Sequence, residues 1–332
     1  MDVSILIVNY RTPELVADCV RSVMEKTEDV SYEIIVVDNG SGDGSLQKMK
    51  STLPKSVRLI DAGHNLGFGR ANNFAARYAS GTYLFLLNSD TLLRNDAISI
   101  LFRYMEQNRS CGIAGGNLFS ADGRPAGSFC RSFDSPESVR RASSWSGIIT
   151  GIRERRGRDR LPEKEREQLL AAQNFNTSGC AEAVAYVFGA DLMISRSLFE
   201  ALGGFDRDFF MYAEESELSF RVRKTGRTVM SVPEAEIMHL DGGSFGGQAG
   251  FKSRQYVMRQ LGRMIFFEKC YGQESADMYR RMKRTELRRT YLLARLFRRE
   301  ALLSLTNQQI SAFSKANRAY EERKEKMNGG NL

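Results

Sequence analysis

The chain has 332 residues, of which 42% are hydrophobic and 27% charged, and its formal net charge is +8. This composition is typical of a folded globular protein and argues against global disorder. No apolar run reaches the ~20 residues of a membrane-spanning helix, and the five dispersed cysteines form no CxxC pair, which argues against disulfides or a zinc site. We therefore expect a cytoplasmic protein.

The first 115 residues alternate strand-like and helix-like patterns. The opening segment, MDVSILIVNY, has an acidic second residue and no basic region, which indicates a first strand and not a secretory signal. The predicted strands are 4–10, 32–38, 57–63, 82–90 and 111–116, and the predicted helices lie within 13–26, 66–79 and 96–107. Short apolar runs separated by helical patterns predict right-handed βαβ units and a mainly parallel α/β sheet.

The second half of the chain is less regular. Residues 131–175 are charged and poor in apolar residues, which fits either a mobile surface excursion or a helical insertion. Order returns with a predicted strand at 183–191, a helix at 195–205 that paired glycines end, and an apolar stripe within 210–226. RTVMSV and AEIMHL predict two short strands, DGGSFGG predicts a flexible loop, and helical patterns continue from about residue 251.

The net positive charge of the chain comes entirely from the carboxyl-terminal part of the sequence. Residues 251–332 hold 19 Lys/Arg and 8 Asp/Glu, a net charge of +11, whereas the first 250 residues have a net charge of −3. Within 286–303, leucines and a phenylalanine recur at helical spacing among arginines, a pattern that favours an anionic membrane surface as a partner. The alternative is that this apolar side packs on the rest of the chain. Nucleic-acid binding ranks last, because the first 250 residues are slightly acidic and contain no groove-reading motif.

Polar side chains follow four successive predicted strands. They are Asn9, Asp38, Asn65 and the pair Asn88/Asp90. Each one alone is typical of a turn or a helix cap. Four on parallel strands must meet at one edge of the sheet, where α/β proteins bind ligands, and carboxylates, amides and a metal there would suit a nucleotide.

The order of these motifs resembles family-two glycosyltransferases of the GT-A fold, a Rossmann-like sheet flanked by helices, and most of all their rhamnosyltransferase-like branch. The resemblance rests on SILIVNYRTPELVADCVRSV, EIIVVDNGSGDGS, NLGFGRANN and LLNSD, and then on GADLMISRSLFEALGGFDRDFFMYAEESELSFRVRKTG and MHLDGGSF. It covers residues 3–245. It implies a catalytic domain over 1–250, with a nucleotide-binding half at 1–115, a variable insertion at 131–180 and an acceptor half at 181–250, and a basic helical region over 251–332.

The resemblance also implies a reaction. A sugar would pass with inversion from a nucleotide-sugar, first dTDP-rhamnose and second a UDP-hexose, to a saccharide or polyprenyl-diphosphate-linked acceptor at the cytoplasmic face of the inner membrane. Mg²⁺ or Mn²⁺ would offset the diphosphate charge, with Asp90 and His239 as its ligands. The residues implied for nucleotide-sugar binding are Val8, Asn9, Tyr10, Asp38, Asn65, Phe68, Asn72, Asn88, Ser89, Asp90 and Asp191.

The resemblance places the catalytic base at Glu215, where the family has an aspartate. Glu214 and Glu217 would orient the acceptor or the start of the helix. The alternative is that three carboxylates in a first helical turn only complement the helix dipole. Two departures from the family pattern, Asn88 and Glu215, favour the rival hypothesis of a non-catalytic scaffold in a polysaccharide assembly complex.

Overall fold

The computed structural model describes residues 1–159, 173–240 and 251–329. These residues fall into two compact units. The first, called the sheet unit, contains residues 1–133, 173–210 and 215–240, and the second, the helical unit, contains residues 134–159, 211–214 and 251–329. The predicted glycine loop after residue 240 and part of the charged stretch lie outside the described residues.

The strands of the sheet unit form a large main sheet and a small separate pair. In chain order they are β1 (Val3–Asn9), β2 (Tyr32–Asp38), β3 (Arg58–Asp61), β4 (Tyr83–Asn88), β5 (Thr91–Leu93), β6 (Cys111–Phe119), β7 (Phe129–Cys130), β8 (Glu182–Ala183), β9 (Tyr186–Val187), β10 (Asp191–Ser195) and β11 (Thr228–His239). The main sheet has the order β3-β2-β1-β4-β10-β6-β11-β5, with β8 beside β11, and β7 pairs with β9. β1 to β4 run parallel, and β10 is antiparallel to both of its neighbours.

The helices are divided between the two units. In chain order they are α1 (Pro13–Lys26), α2 (Ser45–Thr52), α3 (Phe68–Ala76), α4 (Ala97–Gln107), α5 (Pro136–Ser143), α6 (Trp145–Asp159), α7 (Arg196–Ala201), α8 (Glu214–Lys224), α9 (Ser253–Tyr271), α10 (Gln273–Leu296) and α11 (Glu300–Gly329). Among the described residues, no helix combines the length and the apolar character needed to cross a bilayer.

The sheet has a hydrophobic core on each face. Successive residues of a strand point to opposite faces, so Ile5 and Ile7 of β1 join one core with Val16 of α1 and Leu101 of α4. Leu6 joins the other core. That second core also contains Ala75 of α3, Phe199 of α7 and Leu218 of α8. The predicted α/β class is confirmed, since helices cover both faces of a mostly parallel sheet.

Two strand predictions were wrong. The two strands expected at 227–240 are one strand, β11, whose register with β6 shifts between Ser231 and Glu236. Pro233 lies within this shift and has no N–H to donate to a neighbouring strand. The single strand expected at 183–191 is broken into β8 and β9, because its backbone N–H groups bond in turn to Val229, Cys130 and Ser128.

The helical unit confirms the helical reading of the sequence after residue 251. Gly272, with φ 87°, separates α9 from α10. A partly buried polar cluster then joins α9 to α11: the buried Tyr320 donates a hydrogen bond to Glu268 at 2.6 Å, and Arg323 donates to both carboxylate oxygens of Glu268 at 2.9 Å. The two charges are paired with each other, which lowers the cost of removing them from water.

Candidate active site at the carboxyl edge of the sheet

Asn9 and Asp38 end the neighbouring strands β1 and β2 and are both buried. Asn9 donates through Nδ2 to Asp38 Oδ1 at 2.6 Å and to Ser41 Oγ at 3.1 Å, while its Oδ1 accepts the Thr12 N–H at 3.1 Å. Ser41 donates through Oγ to Asp38 Oδ1 at 2.6 Å. Both amide hydrogens of Asn9 are therefore committed, so its geometry supports the two loops that border a ligand site.

The loop between β3 and α3 is fastened by a residue that the sequence analysis missed, Asn39. Its Oδ1 accepts the Leu66 N–H at 2.8 Å, and its Nδ2 donates to the Gly67 carbonyl at 3.2 Å and to Asn65 Oδ1 at 3.3 Å. Gly67 has φ +83°, and a Cβ there would lie 2.2 Å from the Phe210 carbonyl oxygen. The position therefore requires glycine.

The other implied nucleotide-binding residues lie on these loops and strand ends. Asn72 is buried and donates to the Phe68 carbonyl at 3.1 Å. Ser89 Oγ lies 3.3 Å from Thr12 Oγ1. Val8 and Tyr10 flank Asn9 and keep part of their surface exposed, as does Asn88, which pairs with Val8 across β1 and β4. His64, which directly precedes Asn65 in the sequence, is exposed.

Asp90 and His239 lie next to each other at the carboxyl edge of the sheet. β5 pairs with the end of β11 so that His239 is opposite Thr91, and the Leu240 N–H donates to the Asp90 carbonyl at 2.8 Å. These contacts bring His239 Nε2 to 3.3 Å from Asp90 Oδ1, with the side chains 20% and 15% exposed respectively. The two residues implied as metal ligands are thus neighbours, 149 positions apart in sequence.

Asp191 lies at the same edge, but for a different reason from the one predicted. It was expected to end a strand, whereas it begins β10, which runs antiparallel to β4 and places Asp191 opposite Leu87. The Gly116 N–H donates to its Oδ2 at 2.5 Å, and within the described residues its buried Oδ1 has no hydrogen-bond partner. Burial raises the pKa of this carboxyl well above 3.8, although the Gly116 N–H and the His239 imidazole both lower it.

Glu215 lies in the first turn of α8 and is partly buried. A Cβ placed on Gly189 would lie 3.2 Å from Phe68 Cε1 and 4.0 Å from Glu215 Cβ, so Gly189 packs between the Phe68 ring and the base of the Glu215 side chain. Burial raises the pKa of Glu215 above 4.5, against the opposing effect of nearby backbone N–H groups. A carboxylate with a raised pKa is a stronger base at neutral pH.

The backbone just before Glu215 is strained. Tyr212 and Ala213 have φ values of 71° and 73°, a region that residues with side chains rarely occupy. Consecutive outliers of this kind are concentrated at functional sites. Tyr186 was not singled out in the sequence: burial raises the pKa of its phenol, and the Cys130 thiol and then the Glu215 carboxylate add to the rise.

Glu217 is held by the helix on which it lies. Arg221 donates from Nε to one carboxylate oxygen at 2.6 Å and from Nη2 to the other at 2.7 Å, and it also donates to the carbonyls of Leu202 and Gly204. Arg221 thus contacts both carboxylate oxygens of Glu217. Glu214, at the start of α8, is also buried.

A divalent cation at this edge would have few protein ligands. Within the described ranges, no group of three or more His, Cys, Asp or Glu side chains is arranged to hold a metal ion. Asp90 and His239 supply one carboxylate oxygen and one imidazole nitrogen, donors that suit Mn²⁺ or Mg²⁺ when substrate phosphates and water complete the coordination. The residues present therefore fit a cation that binds together with a diphosphate.

Comparison with known proteins identifies glycosyltransferases among the relatives of this chain. The chain is 25% identical over 242 residues, 72% of its length and 67% of the relative's, to the low-salt glycan biosynthesis hexosyltransferase Agl10 of Haloferax volcanii. It is 26% identical over 217 residues, 62% of its length and 66% of the relative's, to an N-acetylglucosaminyl-diphospho-decaprenol L-rhamnosyltransferase of Mycobacterium tuberculosis.

The fold also has solved counterparts. The mannosyltransferase PcManGT of Pyrobaculum calidifontis, solved with GDP-Man and Mn²⁺, superposes with a TM-score of 0.56 at 16% identity, over 96% of this chain and 86% of that one. The fold is of the GT-A type, as predicted. The model of the family described as "Glycosyl transferase family 2" matches residues 4–173, half of the chain, and we conclude that the chain belongs to glycosyl transferase family 2.

Proposed function

We propose that this glycosyltransferase is an inverting, divalent-metal-dependent enzyme that uses a nucleotide-sugar donor. The observation that carries the proposal is the meeting of Asp90 and His239 at 3.3 Å on the edge where β1, β2 and β4 end. These two side chains would hold Mg²⁺ or Mn²⁺, which when bound offsets the charge that develops on the diphosphate leaving group.

Glu215 would take the proton of the acceptor hydroxyl. As that oxygen attacks the anomeric carbon, a new C–O bond forms and the bond to the diphosphate breaks, with its electron pair leaving on the phosphate oxygen. The raised pKa of Glu215 and its partial burial support this role. The hydrogen-bonded loops around Asn9, Asp38 and Asn65 would border the nucleotide, and Asp191 would face the donor sugar.

For the donor we propose dTDP-rhamnose first and a UDP-hexose second, because the relatives include a rhamnosyltransferase and a hexosyltransferase. For the acceptor we propose a saccharide, free or carried on a polyprenyl diphosphate, in surface polysaccharide synthesis. The latter acceptor would place the enzyme at the cytoplasmic face of the inner membrane. The catalytic domain would be residues 1–250 and the basic helical region residues 251–332.

The test is turnover of these donors with Mn²⁺, with Mg²⁺ and with EDTA, for the wild type and for Asp90→Asn. We expect EDTA and Asp90→Asn each to reduce transfer on the order of 100-fold or more, since each removes charge stabilisation of the leaving group. The matched control is Asp96→Asn, which keeps an N-cap for α4 and should transfer like the wild type. Unchanged turnover in EDTA would refute the requirement for a divalent metal ion.

The alternative function is a non-catalytic scaffold, and the departures at Asn88 and Glu215 favour it. A scaffold predicts no turnover with any donor under any metal condition. A thermal-shift screen of nucleotide-sugars, run beside the turnover assay, identifies the donor that the edge accepts.

A further inference from the structure

The corner between α10 and α11 exposes large apolar side chains. Residues 295–301 are all exposed, and Leu296 and Phe297 are 73% and 65% accessible. Leu292, one turn earlier on α10, is 56% accessible. Four residues apart, Leu292 and Leu296 share one side of the helix, whereas Leu287 and Ala294 are buried. The exposed leucines are therefore not part of the helix's own packing face.

A second apolar pair lies on α6. Trp145 and Ile149 are 49% and 41% accessible and are also four residues apart. The Arg289 guanidinium lies 4.8 Å from the centroid of the Trp145 ring, and Arg289 donates to the Ser143 carbonyl at 2.8 Å. Because Arg289 is one turn before Leu292, Trp145 lies beside the stretch of α10 that leads to the corner.

We name these five side chains the apolar patch: Trp145, Ile149, Leu292, Leu296 and Phe297. They are five of the eight large hydrophobic side chains that are exposed in the described part of the chain. Single exposed hydrophobic residues need no explanation, but these five lie on α6 and on the part of α10 that Arg289 joins to it, and neighbouring exposed apolar side chains mark an interaction surface. Tryptophan is moreover the side chain most suited to the boundary between lipid and water.

Arginines surround the apolar patch, and one of them, Arg298, has a left-handed backbone conformation. Arg298 has φ 49°, and the Arg299 N–H donates to the Ala294 carbonyl at 2.8 Å, a helix ending at which glycine is the usual residue. A cation thus occupies a position where a side chain is disfavoured. Between residues 287 and 320 the sequence has seven Lys/Arg and one acidic residue, Glu300.

We propose that the apolar patch docks the helical unit on an anionic lipid bilayer, with Leu296, Phe297 and Trp145 in the interface and the surrounding arginines on the lipid phosphates. Two copies of this surface would place arginines against arginines, which disfavours self-association. Docking of this kind would bring the enzyme to an acceptor that is carried on a lipid diphosphate, and in this respect it rests on the proposed function. Its test does not depend on turnover.

The experiment is sedimentation of the full chain with vesicles of phosphatidylcholine containing phosphatidylglycerol, and with pure phosphatidylcholine. Leu296→Ser/Phe297→Ser should weaken binding to the anionic vesicles by about tenfold or more, from the apolar area that no longer enters the interface. Arg295→Gln/Arg298→Gln should weaken it by roughly fivefold per charge and reduce its salt dependence. Wild-type binding to pure phosphatidylcholine should be much weaker.

The matched control is Met24→Ser/Met327→Ser, which removes exposed apolar side chains outside the patch and should bind like the wild type. Circular dichroism verifies that each variant is folded. Equal vesicle binding of the patch variant and the control overturns the proposal, and so does a wild-type dimer that the patch variant converts to a monomer without vesicle binding. If the protein binds anionic vesicles but turns over no donor, the membrane-docking proposal is supported and the proposed function is refuted.

Discussion

Removing one partner of the ion pair between Arg221 and Glu217 should destabilise the sheet unit. Arg221→Met leaves the Glu217 side chain, only 5% exposed, without its cation. Breaking a buried pair in this way costs about 3–5 kcal/mol. Since the Arg221 side chain is 24% exposed, we expect the lower end, about 3 kcal/mol. For a unit of this size that corresponds to a loss of roughly 6–12 °C in Tm.

Differential scanning calorimetry of the full chain measures the effect. The matched control is Arg109→Met, which breaks a surface pair with Glu106 (side chains 71% and 34% exposed) and should cost less than about 1 kcal/mol. Replacing Arg221 and Glu217 together by methionine should recover most of the loss, because no unpaired buried charge remains. If Arg221→Met is as stable as Arg109→Met, or if the double variant is no more stable than Arg221→Met, the loss does not come from an unpaired buried carboxylate.

Two further predictions concern stability. Gly67→Ala should lower the free energy of unfolding by about 2–4 kcal/mol, because φ is +83° and the new Cβ would clash with the Phe210 carbonyl. The control Gly63→Ala, where φ is +74° and no atom lies within 4 Å of the new Cβ, should lower it by about 1 kcal/mol. Equal losses for the two variants in urea unfolding would contradict the predicted clash. The raised pKa of Asp191 means that its stabilising contribution, complete below pH 3.8, is lost as pH rises through the folded-state pKa. Asp191→Asn should therefore gain stability relative to the wild type as pH rises in metal-free buffer, and parallel pH curves for the two proteins would show that the carboxyl does not titrate as described.

The sequence predicted the parts of the fold that local patterns specify. Fully buried parallel strands such as β1 and β4 are continuous apolar runs that end in polar residues. Helix α1 begins at Pro13 and helix α4 directly after its N-cap Asp96, residues that favour a helix start. The sequence did not reveal the direction of β10, because a short apolar run fits either orientation of a strand. That antiparallel insertion is what brings Asp191 to the carboxyl edge.

The candidate site was predicted to a similar degree. The family resemblance implied that Asp90 and His239 belong together, and the pairing of β5 with β11 brings them together. The bonds that hold the surrounding loops could not be predicted, because they join distant residues: Asn39 with the loop at 65–67, and Arg221 with carbonyls 17 and 19 positions away. The i,i+4 spacing of Glu217 and Arg221 permits their ion pair, but it carries no information on the carbonyl partners of Arg221.

In the proposed reaction Glu215 accepts the proton of the incoming hydroxyl. The most direct measurement is sugar transfer and donor affinity for Glu215→Gln, beside Glu200→Gln, a change at an exposed carboxylate of the same unit. We expect Glu215→Gln to bind the donor within about twofold of the wild type while its transfer rate falls by roughly 10² to 10⁴, the contribution of a general base. Transfer by Glu215→Gln at the rate of Glu200→Gln would contradict it.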